Sequence, residues 1–108
     1  MTTNITHERV DVAPPAGAER VSAWCETTTP APFRYLEGQR HHIERGDRPI
    51  VVYVDAIQRG DGTVEGGVVV HELRCDDPIT PAQARQIARA LVAAADIVDR
   101  MAEAEGER

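Results

Sequence analysis

The chain has 108 residues and a formal net charge of −6 at pH 7, from 18 acidic and 12 basic side chains. This length predicts one small domain, and the acidic balance argues against a general nucleic-acid binder, whose phosphate contacts need a concentrated positive surface. The sequence has two cysteines, no secretory leader pattern and no apolar run near ~18 residues. It therefore predicts a cytoplasmic protein with reduced thiols and no membrane span.

The first 20 residues are expected to form a flexible arm. They mix charged and small residues without hydrophobic periodicity, and they contain the adjacent prolines Pro14 and Pro15. We therefore predict a single folded domain over residues 21–104, with residues 105–108 fraying at the C-terminus.

Strand patterns occupy the middle of the chain. Residues 21–26 predict a short strand, and the breaker-rich residues 27–32 follow it. Residues 34–44 predict either one further strand or an irregular crossing segment. Residues 50–58 and 64–74 are rich in Val, Ile and Tyr, and a glycine-containing turn separates them. These two segments predict a β-hairpin.

Alternation assigns the faces of this hairpin, because successive side chains of a strand point to opposite sides of the sheet. One face of the first strand is entirely apolar and should meet the helix; it consists of Ile50, Val52, Val54 and Ala56. The second strand has apolar residues on both faces, so one face of the hairpin is expected to meet a second layer or another subunit. Gly66 and Gly67 indicate either a β-bulge or a close backbone approach.

The C-terminal part of the chain predicts one long helix over residues 81–104. Thr80 suits the N-cap, Pro81 suits the first helical position, and Gln83 lies where a capping-box side chain reaches back. Apolar residues then recur at steps of three and four, which predicts a packing stripe of Ala84, Ile87, Leu91, Ala94, Val98 and Met101, widened by Ala88, Ala95 and Ala102. The predicted fold class is α+β: a small antiparallel sheet of three or four strands packed by one long C-terminal helix.

This helix is longer than the strands that it covers, so its distal turns need a partner or will fray. Alanine-rich helix faces allow close approach, and an antiparallel helix pair across a two-fold axis would bury the distal stripe. Solvated distal turns are the alternative. We therefore predict a homodimer, and the candidate partner-binding residues are Arg85, Arg89, Leu91, Val98 and Met101.

Arg85 and Arg89 are a like-charge pair, four residues apart near the helix start, where the helix dipole is also unfavourable for cations. One expectation is that they form surface ion pairs with nearby acids, namely Asp76, Asp77 or Glu72. The other is that they receive a carboxylate or phosphate group of a binding partner.

Cysteine and histidine supply one metal hypothesis. Cys25, His41 and His42 are zinc-ligand types that a folded chain could bring together in a tetrahedral site. Their spacing contains no Cys-x-x-Cys motif, and the alternative is a buried cysteine with exposed or hydrogen-bonded histidines. Cys25 is also the candidate nucleophile of a small cysteine-dependent enzyme, although no recognisable nucleophile motif surrounds it.

Three segments resemble a family of small actinobacterial proteins that has no assigned activity. They are Ala23-Trp24-Cys25, His41-His42, and Ile79-Thr80-Pro81-Ala82-Gln83-Ala84-Arg85 with the alanine-rich helix behind it. The family carries a Trp-Cys pair, a His and a Leu-Thr-Pro-x-x-Ala-Arg helix start, and the resemblance covers about residues 22–100. This chain lacks the second cysteine that some similar members carry before the Trp-Cys pair, which weakens the case for a zinc site.

These patterns favour a non-enzymatic protein-interaction or regulatory module that is homodimeric and needs no cofactor. The first alternative is a zinc-stabilised accessory protein that uses Cys25 and either His41 or His42. The second alternative is a small enzyme with Cys25 as its nucleophile.

Overall fold

The computed structural model describes residues 11–46, 48–74 and 76–106. It contains both strands and a helix, as the sequence predicts. Within these residues, five antiparallel strands form one sheet and a single C-terminal helix packs against it, so the α+β class is confirmed. The elements are β1 (Arg20–Val21), β2 (Phe33–Glu37), β3 (His41–Ile43), β4 (Ile50–Arg59), β5 (Val64–His71) and α1 (Pro81–Gly106). No helix in this part of the chain is long and apolar enough to cross a membrane.

Strand β4 is the centre of the sheet and is ten residues long. β5 pairs with it along one edge, from Gln58 opposite Val64 to Val51 opposite His71. β2 and β3 follow one another along the other edge, and β1 extends the sheet beyond β2. The predicted hairpin is therefore present, and residues 34–44 contain parts of two short strands.

A β-bulge separates β2 from β3 and reverses the faces of the chain. Glu37 pairs with Asp55, whereas His41 pairs with Val52, so three residues on this edge oppose two residues of β4. Core-facing side chains consequently occupy even positions in β2 and odd positions in β3. The bulge is what places Ile43 in the core.

The core lies between one face of the sheet and α1. The face of β4 that was expected to meet the helix is buried there. The helix residues that are buried against it are Ile87, Ala90, Ala94 and Met101. Burial of this apolar surface is the main contribution to the stability of a domain of this size.

The helix is rotated from the orientation that the predicted stripe implies. Its buried centre line follows Ile87, Ala94 and Met101 at seven-residue steps, and Ile97 also packs against the core. Five of the six predicted stripe residues lie in the core or pack against it, and only Ala84 is exposed. The expectation that Ala88, Ala95 and Ala102 widen the stripe is wrong, because all three are exposed. The rotation buries the larger side chain of Ile97, which removes more apolar area from water than an alanine methyl group does.

The capping box at the start of α1 is formed as predicted. The Thr80 hydroxyl accepts a hydrogen bond from the Gln83 N–H (3.1 Å), and the Gln83 amide oxygen accepts one from the Thr80 N–H (2.9 Å).

We expect Thr80→Ala to lower the free energy of unfolding by about 1 kcal/mol, because one N-terminal N–H of the helix loses its acceptor. Urea denaturation of the variant and the parent protein measures this difference. Thr80→Ser keeps the hydroxyl and is the matched control, expected to stay close to the parent. An alanine variant as stable as the serine variant would contradict the assigned role of the hydroxyl.

Residues 11–19, called the strap below, lie against the part of the sheet that α1 does not contact. The predicted arm also includes residues 1–10, which lie outside the described residues. Arg34 and Gln58 donate hydrogen bonds to carbonyl groups of the strap. Gly17 approaches the helix so closely that an added Cβ would stand 3.0 Å from a methyl group of Ile97. Within the described residues, the strap therefore completes the layer that covers β2.

Candidate functional site

The three predicted zinc ligands do not converge. Cys25 forms an isolated bridge with Phe33, which pairs with Arg59 at one end of β4, whereas His41 pairs with Val52 near the other end. These two β4 positions are seven residues apart, or about 23 Å at about 3.3 Å per residue. Across residues 11–46, 48–74 and 76–106, no group of three or more His, Cys, Asp or Glu side chains could hold a metal ion.

Cys25 is also separated from the described histidines. His41, His42 and His71 all pair with the first three residues of β4, at the end of the strand opposite to Cys25. The Cys25 thiol lies 3.8 Å from the Ala23 carbonyl oxygen. A cysteine nucleophile needs an adjacent base or cation to form its thiolate, and no described histidine is placed to serve as that base.

The helix residues proposed to bind a partner divide into two groups. Leu91, Val98 and Met101 pack against the sheet of their own chain, and Met101 is only 1% exposed. Arg85 and Arg89 are exposed. The two arginines are therefore fully accessible to another molecule, Leu91 and Val98 are accessible in part, and Met101 is not accessible.

No carboxylate among the described residues forms an ion pair with Arg85 or Arg89. Two of the acids expected to do so pair elsewhere: Asp77 with Arg45, and Glu72 with Arg48 at 3.7 Å. As far as the described residues are concerned, both helix arginines are thus available for an external anion.

Arg89 borders a groove between β3 and α1, which we call the His–Arg groove. Its polar lining comes from His41 and His42 on the strand and from Gln86 and Arg89 on the helix, and its volume is about 390 Å³. The His41 Nε2 atom is buried and has no hydrogen-bond partner within the described ranges. The bulge between β2 and β3 is what turns His41 toward the helix side of the sheet. The groove therefore brings together His41, His42 and Arg89, which the sequence had placed in two separate candidate sites.

The outer edge of β5 is a second exposed binding feature. The Arg59 N–H donates to the Thr63 carbonyl oxygen (2.9 Å), so these residues form a hydrogen-bonded pair at the hairpin end. Because such pairs alternate along an antiparallel ladder, the odd-numbered residues of β5 bond to β4. The N–H and C=O groups that point away from β4 belong to Val64, Gly66, Val68 and Val70. No strand in the described part of the chain pairs with this edge.

One exposed side of α1 lies next to the outer edge of β5. Gln86, Arg89 and Ala93 line the groove beside β3, which identifies the helix side that faces β3. The helix also contacts β5, so its opposite side lies toward the β5 edge. That side is called the alanine flank and consists of the exposed residues Ala84, Ala88, Ala95 and Ala102. The alanines that were predicted to enter the core thus form a flat surface next to a free strand edge.

The sheet face opposite α1 carries an aromatic groove that the sequence analysis missed. Phe33 and Tyr35 meet edge to face, with ring centroids 5.6 Å apart, and Ile57 lies beside them. Pro30 and Pro32 also line this groove, whose volume is about 750 Å³. The alternation of two aromatic residues in Phe33-Arg34-Tyr35 was the available signal, since it places both rings on one face of a strand.

Charged residues surround this aromatic groove. The Thr63 backbone N–H (3.0 Å) and hydroxyl (2.7 Å) donate to the Asp61 carboxylate and lower the pKa of Asp61. Arg59 forms an ion pair with Glu65 at 2.8 Å. The aromatic groove therefore has an apolar centre and charges of both signs at its rim.

Comparison with known proteins does not place the chain in a family. No family model matches it, and no curated protein and no solved structure is significantly similar to it. The resemblance to the actinobacterial family over residues 22–100 stays a prediction. Function must therefore be inferred from the free strand edge, the alanine flank and the His–Arg groove.

Proposed function

We propose that the protein is a non-enzymatic interaction module that forms a homodimer through the β5 edges of two copies. The observation that carries this proposal is the outer edge of β5, with which no described strand pairs; β5 has eight residues and contains no proline or lysine. Such an edge presents unpaired backbone N–H and C=O groups, which natural proteins normally cover, shorten or block with charges. The strands at the other edges of the sheet, β1 and β3, are only two and three residues long and offer no comparable surface.

Two-fold symmetry makes β5 suitable for pairing with a second copy of itself. A two-fold axis at the middle of the strand pairs the two copies antiparallel, so both supply the same surface. Antiparallel pairing places the Glu65 end of one strand beside the His71 end of its partner. Parallel pairing would instead place like residues side by side, including the two Glu65 carboxylates.

The alanine flank supports the same arrangement. Pairing through β5 continues the sheet into the second copy and leaves both helices on the same face of the extended sheet. The two alanine flanks then face each other across the axis, where small side chains allow close helix packing. We therefore propose that the interface of the predicted homodimer consists of β5 and the alanine flank. Leu91, Val98 and Met101 pack against the sheet of their own copy.

Native mass spectrometry and analytical ultracentrifugation of the untagged chain test the association directly. We expect a dimer that dissociates on dilution. Residue-resolved hydrogen exchange then identifies the interface, because the amides of Val64, Gly66, Val68 and Val70 should become protected only in the dimer. The amides of Val69 and His71 bond to β4 and should be protected in both states. A monomer at all concentrations, or a dimer in which the four edge amides exchange freely, would contradict the proposal.

Substitutions on the helix give an independent test. We expect Ala88→Arg combined with Ala95→Arg to weaken dimerisation by about 100-fold or more, because four like charges then meet at the two-fold axis. Both positions are exposed, so the folded monomer should be retained. Ala82→Arg is the matched control, since Ala82 is exposed on the side of α1 that faces away from β5. Equal dimer affinities of the control and the double variant would exclude the alanine flank from the interface.

A further inference from the structure

The His–Arg groove lies on the side of α1 away from the proposed dimer interface, and its polar composition is unusual for an acidic protein. The described residues that line it include His41, His42, Gln86 and Arg89 and no acidic residue. The chain as a whole has six more acidic than basic side chains. The His–Arg groove therefore differs from the chain as a whole, because it has hydrogen-bond donors and no acidic residue in its described lining.

The Nε2 atom of His41 indicates that this groove lacks a component, because this atom is buried although the residue as a whole is partly exposed. A polar atom that is buried without a hydrogen-bond partner is destabilising, so nearly all such atoms in folded proteins are paired. The His41 Nε2 atom is in this condition among the described residues, and His41 lines the groove between β3 and α1. The neighbouring Gln86 and Arg89 are exposed. Both residues line the same groove as His41, so a ligand that reaches the imidazole would also contact them.

We propose that the His–Arg groove binds the phosphate group of a small phosphomonoester. Arg89 would supply the fixed positive charge and the planar N–H fork that suits phosphate oxygens. His41 and Gln86 would donate further hydrogen bonds, and a bound oxygen would satisfy the His41 Nε2 atom. Arg85 lies one helical turn before Arg89 and adds a second positive charge nearby.

The apolar part of the groove favours an organic phosphate over free phosphate. Ile43, Ala90 and Ala93 line it beside the polar side chains, and the volume of about 390 Å³ exceeds what a phosphate group alone would fill. The organic body of the ligand would contact these residues while its phosphate group faces Arg89. Binding of this kind needs no metal ion and is independent of dimerisation through β5.

NMR titration of the full-length chain with phenyl phosphate and with inorganic phosphate tests this site. Sodium chloride at matched ionic strength controls for screening. We expect saturable shifts of the amide signals of residues 41–43 and 86–93 and of the His41 imidazole, with phenyl phosphate binding about tenfold more tightly than inorganic phosphate. Equal changes in sodium chloride, or no saturable change, would overturn the proposal. Equal affinity for the two phosphates would overturn the organic-ligand assignment.

Variants then identify the residues that bind the anion. We expect Arg89→Gln to raise the Kd for phenyl phosphate about tenfold or more, because it removes one charge-assisted contact. Arg100→Gln is the matched control, since it removes the same charge from an exposed position farther along α1. His41→Phe should also raise the Kd for phenyl phosphate, because the imidazole no longer contacts the phosphate group. The same variant should raise the melting temperature of the free protein, because the buried nitrogen without a described partner is lost. Unchanged binding in both Arg89→Gln and His41→Phe would place the anion elsewhere.

Discussion

Replacing Gln58 with leucine is expected to lower the free energy of unfolding by about 3 kcal/mol. Gln58 is 1% exposed, and its amide oxygen accepts a hydrogen bond from Arg34 Nε at 2.9 Å. Its amide nitrogen donates to the Ala13 carbonyl oxygen at 3.0 Å. Leucine has a similar size but can make neither bond, so a buried cation loses a partner. Urea denaturation followed by fluorescence of Trp24, the one tryptophan of the chain, measures the change.

A double variant separates the hydrogen-bond loss from a change in packing. Arg34→Met combined with Gln58→Leu removes the buried charge together with its partner, and we expect its stability to lie within about 1 kcal/mol of the parent protein. The recovery would show that the single variant is destabilised because the buried guanidinium has lost one of its partners. If the double variant is less stable than Gln58→Leu alone, the polar network itself contributes net stability and this account of the single variant is wrong.

The burial of Arg34 explains why stability depends strongly on each hydrogen bond among Arg34, Gln58 and the strap. Its side chain is buried to 8% exposure, and no acidic side chain in the described part of the chain pairs with it. The guanidinium instead contacts Gln58, the Val12 carbonyl oxygen at 2.7 Å and the ring of Trp24 at 4.3 Å. Burial lowers the pKa of Arg34, yet an arginine remains charged at neutral pH. The dipoles of the Gln58 amide and the Val12 carbonyl group, together with the face of the Trp24 ring, therefore stabilise the buried charge of Arg34.

The strap is ordered by the same contacts. Two of its carbonyl groups, those of Val12 and Ala13, accept the hydrogen bonds from Arg34 and Gln58. The composition of the strap alone predicts a flexible segment, because residues 11–19 contain few large apolar side chains. Order in residues 11–19 comes from partners that are more than 20 residues away in sequence, and such partners cannot be identified from local patterns.

Local patterns did predict the elements whose causes are local. The start of α1 depends on three residues within four positions, Thr80, Pro81 and Gln83, and the capping box is present. The faces of β4 follow from simple alternation, because a strand buried on one side must place its apolar set there. These features need no knowledge of the rest of the fold.

The functional candidates depended on information that local patterns lack. His41 and His42 are adjacent in sequence, but the bulge before β3 decides that His41 faces α1. The free edge of β5 exists because β2 and β3 occupy the other side of β4, and strand order is a property of the complete sheet. The exposed alanines follow from the rotation of α1, which the burial of Ile97 determines. Each candidate site therefore arises from tertiary arrangement.

Gly66→Ala and Gly67→Ala are expected to change stability in opposite directions, although the two positions are adjacent. An added Cβ at Gly66 would stand 2.6 Å from the Ala56 Cβ and 3.1 Å from the Asp55 carbonyl oxygen. Neither atom belongs to the end of a flexible side chain, so β5 must move away from β4. We expect Gly66→Ala to lower the free energy of unfolding by about 2 kcal/mol. Urea denaturation of both variants measures the difference.

Gly67 is the matched control because an added Cβ there has no described atom within 4 Å. Removing a glycine from a strand reduces the entropy of the unfolded chain, so Gly67→Ala should raise stability by about 0.5 kcal/mol. The unbroken register through Asp55–Gly67 and Ala56–Gly66 excludes the predicted bulge and leaves close strand approach as the reason for glycine at position 66. Equal effects of the two substitutions would mean that both glycines act only through backbone entropy. Opposite effects would show that Gly66 holds β5, and hence the proposed dimer edge, at its observed position against β4.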